Sequence, residues 1–178
     1  MGKTCLNKLS SNILYTCNLP IHGIKEIYLI HVEDVTVSRS SDPSWATVTF
    51  ASGAKSYKVE GYKQNIQVTA AIRSLDASNK MDISVMFKTF PDAEGSVLES
   101  NFLRVLSMGK FYVLVINNDM SSFVVGDTSP LELSALDWDS NANGRARTIT
   151  LSAPEGSPGN YFMAVNTAAK TEIISKAS

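Results

Sequence analysis

The chain has 178 residues, 44% hydrophobic and 19% charged, with 16 Lys and Arg against 17 Asp and Glu and a pI near 6.1. That length gives room for one domain with a real core, and the near-neutral balance weighs against a dedicated nucleic-acid binder, which carries a basic surplus. No stretch approaches the roughly 18 consecutive apolar residues of a membrane span.

Residues 1–20, "MGKTCLNKLSSNILYTCNLP", are polar, weakly periodic and end at Pro20, so they read as an N-terminal arm. The segment lacks the apolar core of a signal peptide, and Leu6 stands where a myristoylation motif needs Ser or Thr. The expectation is a soluble product made in the cytoplasm. Cys5 and Cys17 are the two cysteines. Two free thiols suit a reducing compartment better than a disulfide clasp, which stays as the alternative.

"IKEIYLIHV" (24–32) is rich in strand formers, and "SRSSDPS" (38–44) is a loop broken by Pro43. "WATVTF" and "KSYKVE" read as short strands joined as a hairpin across "ASGA". Next come two long alternating runs around "DASNK", within residues 63–90. One face carries Ile66, Val68, Ile72, Ile83, Val85 and Phe87, and the other carries Gln67, Thr69, Arg73, Asp82, Ser84 and Lys88. Alternation with period two marks an antiparallel hairpin with a core face and a wet face, and its arms are about twice the usual 5–6 residues.

The period then changes. "PDAEGSVLESNFLRVLSMG" sets Leu98, Phe102, Val105 and Leu106 at helical spacing, with Asp92 or Ser96 as cap and Gly109 as terminator, which predicts a helix over 94–108. "FYVLVIN" is almost wholly apolar and so predicts a strand buried on both faces; "NNDMS" turns it into "SFVVG". "LELSALDWD", "ARTITLSA" and "NYFMAV" are further strands, and residues 167–178 read as a polar, loose C-terminal tail. The predicted architecture is mainly β: a β-sandwich or barrel with one flanking α-helix and a long β-hairpin, as one domain over 21–166.

Motifs for chemistry are sparse. Asp137, Asp139, Asn141 and Asn143 alternate like the oxygen ligands of a calcium loop, but Ala142 replaces the required Gly and Thr148 the closing Glu. "NANG" also reads as a hairpin turn, the better fit. His22 and His31 with the two cysteines match no zinc spacing, and "GSPG" is no nucleophile elbow. "GDTSP" and "ASGAKS" lack the spacing of a phosphate loop. Trp45 and Trp138 offer stacking surfaces for sugars or bases, although scattered aromatics in a β protein are more often core. The residues present no catalytic constellation, so the expectation is a non-enzyme without cofactor or metal.

A long hairpin leaves edges that invite pairing, and identical subunits placing hairpins side by side can close a barrel that removes every edge. The order of elements, short strands, a long hairpin, one helix and returning strands, resembles the tail tube fold of bacteriophages and of contractile injection systems. "NLPIHGIKEIYLIHVEDV" and "FVVGDTSPLELSALDWDSNANGRARTITLSAPEGSPGNYFMAV" are similar to the opening and closing segments of virion tail proteins in phages of Bacteroidota. The resemblance implies a self-assembling structural protein of the virion tail, in stacked, hexameric rings with residues 63–90 as inner wall. It implies as partners the chain itself and other tail proteins, with DNA as a non-specific passenger and no membrane. A head-to-tail connector, tail terminator or capsid decoration protein is the nearer alternative. A carbohydrate-binding sandwich using Asp137, Asp139, Asn141 and Trp138 is the more distant one.

Overall fold

The computed structural model describes residues 23–41, 44–61, 64–75, 78–89, 97–138 and 146–177. Among these, the protein is mainly β, with strands in a curled half-barrel and two helices. Eleven strands form two sheets. The larger contains β1 (Ile24–His31), β2 (Val35–Arg39), β3 (Ser44–Phe50), β4 (Ser56–Glu60), β7 (Phe111–Asn117), β8 (Ser122–Val125) and β11 (Met163–Val165), in the order β2-β3-β11-β8-β7-β1-β4. The smaller contains β5 (Ile66–Leu75), β6 (Ser78–Thr89), β9 (Glu132–Trp138) and β10 (Arg147–Ser152), in the order β5-β6-β10-β9. Helix α1 spans Val97–Met108 and α2 spans Thr167–Ser175.

The apolar runs of β1 and β7 are explained by their position in the interior of the large sheet, paired with each other. On one side Ile27, Leu29, Val113 and Val115 face the small sheet, where Ile66, Ile83, Val85, Phe87, Ile149 and Leu151 complete the core. On the other side Tyr28, Ile30, Leu114 and Ile116 meet Trp45, Val48 and α2. Ile27–Ile30 and Val113–Ile116 therefore each have apolar work on one face or the other, and period-two polarity vanishes there.

Several expectations are corrected. "WATVTF" and "KSYKVE" are both strands, but they do not pair with each other: β3 pairs with β2 and β11, and β4 pairs with β1 at the opposite edge. Proximity in sequence suggested a hairpin, but β3 stands next to one edge strand and β4 is the edge strand at the far end of the sheet.

The C-terminal segment is no loose tail. Asn166 caps α2, its side-chain oxygen accepting from Ala169 N–H at 2.9 Å, and Ala169 and Ile173 are fully buried. Ser56 Oγ then donates to Ile173 O at 2.7 Å, tying the helix to β4.

In α1, Leu106 is buried and Phe102 and Leu103 are half-buried against the inter-sheet core, but Val105 is 49% exposed. At 100° per residue Leu103 and Phe102 bracket Leu106, whereas Val105 lies about 100° from the centre of that stripe. The helix packs against β9, and Leu106 joins the core cluster that the hairpin residues Ile83, Val85 and Phe87 also line. Its start at 94–96, like the N-terminal arm, lies outside the described residues.

Candidate functional site

The hairpin β5–β6 keeps the register that its alternation predicts, from Ile66 opposite Phe87 to Leu75 opposite Ser78. It is not free-standing. β6 also pairs with β10 and β10 with β9, so the hairpin is half of a four-stranded antiparallel sheet. Five of the six expected core-face residues turn inward: Ile66, Ile83, Val85 and Phe87 are buried and Val68 is half-buried. Ile72 is the exception, at 69% exposure. Its cross-strand partner Met81 still packs against the core, but Ile72 stands on the edge strand near the tip, beyond the cover of the large sheet.

The six residues of the expected wet face do share one face. Gln67, Thr69 and Arg73 are exposed, and Asp82, Ser84 and Lys88 are half-buried. Thr69 and Ser84, directly opposite, share a hydroxyl hydrogen bond of 2.6 Å. Asp82 accepts from Arg73 Nε at 2.7 Å and lies 3.3 Å from Lys80 Nζ. Register places Glu132 and Asp137 of β9 on this face as well, and Glu132 pairs with Lys110 at 3.0 Å. Three cations (Arg73, Lys80, Lys88) thus balance three carboxylates (Asp82, Glu132, Asp137) on this face.

The distal half of the face is a cleft of about 790 Å³, lined by Thr69, Ala71, Arg73, Asp82 and Ser84 and rimmed by residues 152–157. The rim is built by a return of the chain. Leaving β10 at Ser152, it turns at Pro154, whose carbonyl accepts from Ser157, and comes back so that Asn160 N–H donates to Met81 O at 2.9 Å. Gly159 lies against β6 so closely that a Cβ would stand 2.9 Å from Met81 N. The buried Asn160 side chain then grips Ser129 at both backbone groups, donating to its carbonyl at 2.8 Å and accepting from its N–H at 3.0 Å. The loop is thus held by hydrogen bonds at Asn160 and Ser157, with Ala153 packed against the core at its start.

A second polar cluster lies in the large sheet. Asp127 Oδ1 accepts from Trp45 Nε1 at 2.7 Å and from Arg39 at 2.6 Å, while Oδ2 takes a second bond from Arg39 Nε at 3.3 Å. Tyr112 stands edge-on to Trp45 at 5.0 Å, its phenol pushed above the usual range by burial first and the Asp127 charge second. Gly126, at φ +98°, makes the turn that brings Asp127 in; a Cβ there would meet Phe111 O at 2.9 Å. Neither strand pairing nor spacing in the sequence pointed to this cluster, because 82 residues separate Trp45 from Asp127.

The remaining sequence candidates stay dispersed. Trp45 is fully buried and offers no stacking face, whereas Trp138 is 59% exposed. His31 lies edge-on to Phe111 at 5.5 Å, as a packing residue. Asp137 is exposed on β9, but Asp139, Asn141, Asn143, Cys5, Cys17 and His22 lie outside the described residues. Among the described residues no group of three or more His, Cys, Asp or Glu is placed to hold a metal ion.

No protein-family model, curated protein or solved structure matches the chain.

Proposed function

We propose that this protein is a structural, non-catalytic subunit that assembles into stacked rings around a lumen, in the manner of a phage tail tube. The observation that carries the reading is the small sheet: its apolar face is covered, its polar face is open, and both its outer strands, β5 and β9, lack a second partner among the described residues. Such a sheet satisfies its edges by continuing into a neighbour. Six copies of four strands would close a barrel about 45 Å across between backbones, at ~4.8 Å per strand and a tilt of about 36°.

The charge pattern of the open face fits a conduit. Affinity for a nucleic-acid backbone comes from cations that neutralise phosphates. A face whose three cations are matched by three carboxylates gives a passing polyanion little to hold. The virion as location, other tail proteins as partners and hexameric rings are what the resemblance to tail tube proteins implies.

Negative-stain electron microscopy of the purified protein across a concentration series tests it. Hollow tubes or stacked rings are expected. Single rings that never stack would favour a connector or terminator. A monomer at every concentration that binds glycans in the presence of calcium would favour the carbohydrate module instead.

A further inference from the structure

The two edges of the small sheet differ from those of the large one. β2 and β4, the outer strands of the large sheet, are five residues each and carry Arg39 or Lys58 and Glu60. β5 is ten residues with the single charge Arg73, and it has neither Pro nor Lys to deter pairing. On its inward face Ile72 is uncovered, and on the inward face of β9 Leu136 and Trp138 are also uncovered, at 44% and 59% exposure. The register places these residues on one side of one sheet: Leu136 is opposite Ile149, which is opposite Phe87, which is opposite Ile66. The same apolar face is thus left bare at both margins.

Resting on the assembly reading above, we infer that β5 of one copy pairs antiparallel with β9 of the next, staggered toward the hairpin tip so that Ile72 seats against the neighbour's Leu133–Leu136 stretch. Strand direction, side-chain alternation and barrel closure together define this arrangement. The four strands alternate in direction, so a head-to-tail junction brings opposite directions together and the ladder continues unbroken. Side-chain alternation permits only registers that set an even-numbered β5 residue opposite Leu136, since a slip of one would turn Ile72 to the polar face.

Closure sets the magnitude. A strand tilt of about 35–45° requires a stagger of roughly one to one and a half residues per strand, or about four to six per copy. A stagger toward the base would carry the pairing off the start of β5 at Ile66, whereas one toward the tip uses Ala70 and Ile72. Leu136 then lies opposite Ala70 or Ile72. The occupant of each bare margin is a second copy of this chain.

Cysteine cross-linking tests the register. In a Cys5→Ser, Cys17→Ser background, Ile72→Cys is combined with Leu136→Cys or with Leu133→Cys. Within one chain β5 and β9 stand three strand spacings apart, about 14 Å, too far for a disulfide, so any bridge is between copies. Oxidation of the assembled protein is expected to give a ladder of covalent multimers ending at the closed ring in at least one of the two pairs. Rings or tubes visible in the microscope with no ladder from either pair would overturn the register while leaving the proposed function standing. Absence of any assembly in the Cys-free parent would overturn both. As a second readout, Ile72→Asp is expected to abolish assembly while leaving the monomer's unfolding midpoint unchanged, and normal assembly of this variant would overturn the seat assigned to Ile72.

Discussion

Replacement of Asp127 by Ala isolates what the Trp45 cluster contributes. Trp45 is fully buried and its indole N–H has Asp127 Oδ1 as acceptor. Truncation leaves that donor orphaned, which costs about 1–3 kcal/mol. It also removes the pairing with Arg39, but that guanidinium is 47% exposed, so the ionic part is worth only ~0.2–1 kcal/mol. The expected loss is therefore about 1–4 kcal/mol, a large part of the ~5–15 kcal/mol typical of a domain. Asp127→Asn keeps an oxygen for the indole but gives up the charge and the second acceptor, the one facing the exposed Arg39 Nε, so it is expected to cost about 1 kcal/mol, less than the Ala variant. Urea unfolding followed by tryptophan fluorescence measures both. In a Trp45→Phe background, where no donor remains to be orphaned, Asp127→Ala is expected to cost at least ~1 kcal/mol less. Equal losses from the Ala and Asn variants would refute the reasoning, since charge rather than the buried donor would then hold the cluster together.

Phe87→Ala, at a fully buried site between the sheets, is expected to cost about 3–5 kcal/mol, while Gln67→Ala on the open face should stay within ~0.5 kcal/mol by the same urea assay. Met120 sits at φ +69° in the β7–β8 turn and is more than half exposed, so Met120→Gly is expected to raise stability by ~0.5–1 kcal/mol through relief of the left-handed backbone. Tyr112 and Tyr28 both have raised phenol pKa values, Tyr112 from burial and then Asp127, Tyr28 from burial and then Glu26. The unfolded chain therefore loses these protons first, and stability contributed below about pH 10 is lost as pH rises through the folded values. Tyr112→Phe should flatten the fall in urea midpoint between pH 9.5 and 11, read at about half-unit steps. Asn160→Ala leaves both backbone groups of buried Ser129 unpaired and is expected to cost about 2–4 kcal/mol, with faster proteolysis within 153–158 as a second readout.

Periodicity made the hairpin faces legible because each side chain of β5 and β6 answers to a local rule, and it failed at Ile72 because cover there depends on how far the other sheet reaches. The almost unbroken apolar run of β7 announced burial on both faces, which its interior place between two apolar clusters explains. Pairing partners were less legible: β3 and β4 are adjacent in sequence but stand toward opposite ends of the large sheet, and no local pattern in either encodes that. Helix α2 did leave a trace, since Asn166 is a good cap and Ala169 and Ile173 are four apart, but two small alanines give a faint apolar stripe. Asp127 was read only against phosphate-loop spacing. Its partners lie on β2 and β3, and no local pattern encodes a contact across that separation.

The pairing of β1 with β7 also bears on the order in which the chain can fold. The strand that shields one margin of β1 begins only at Phe111, so about 80 residues must be synthesised after β1 before that pair can form. At roughly 5–20 residues per second this is a wait of some 4–16 s. The β5–β6 hairpin, whose contacts are local, can close within microseconds and would meanwhile display Val85 and Phe87 with nothing beneath them. A nascent chain of this protein therefore passes through an interval in which its longest hairpin is formed and its core is not. Occupancy by a ribosome-bound chaperone should be greatest with the chain between Thr89 and Asn117 and fall once β7 emerges.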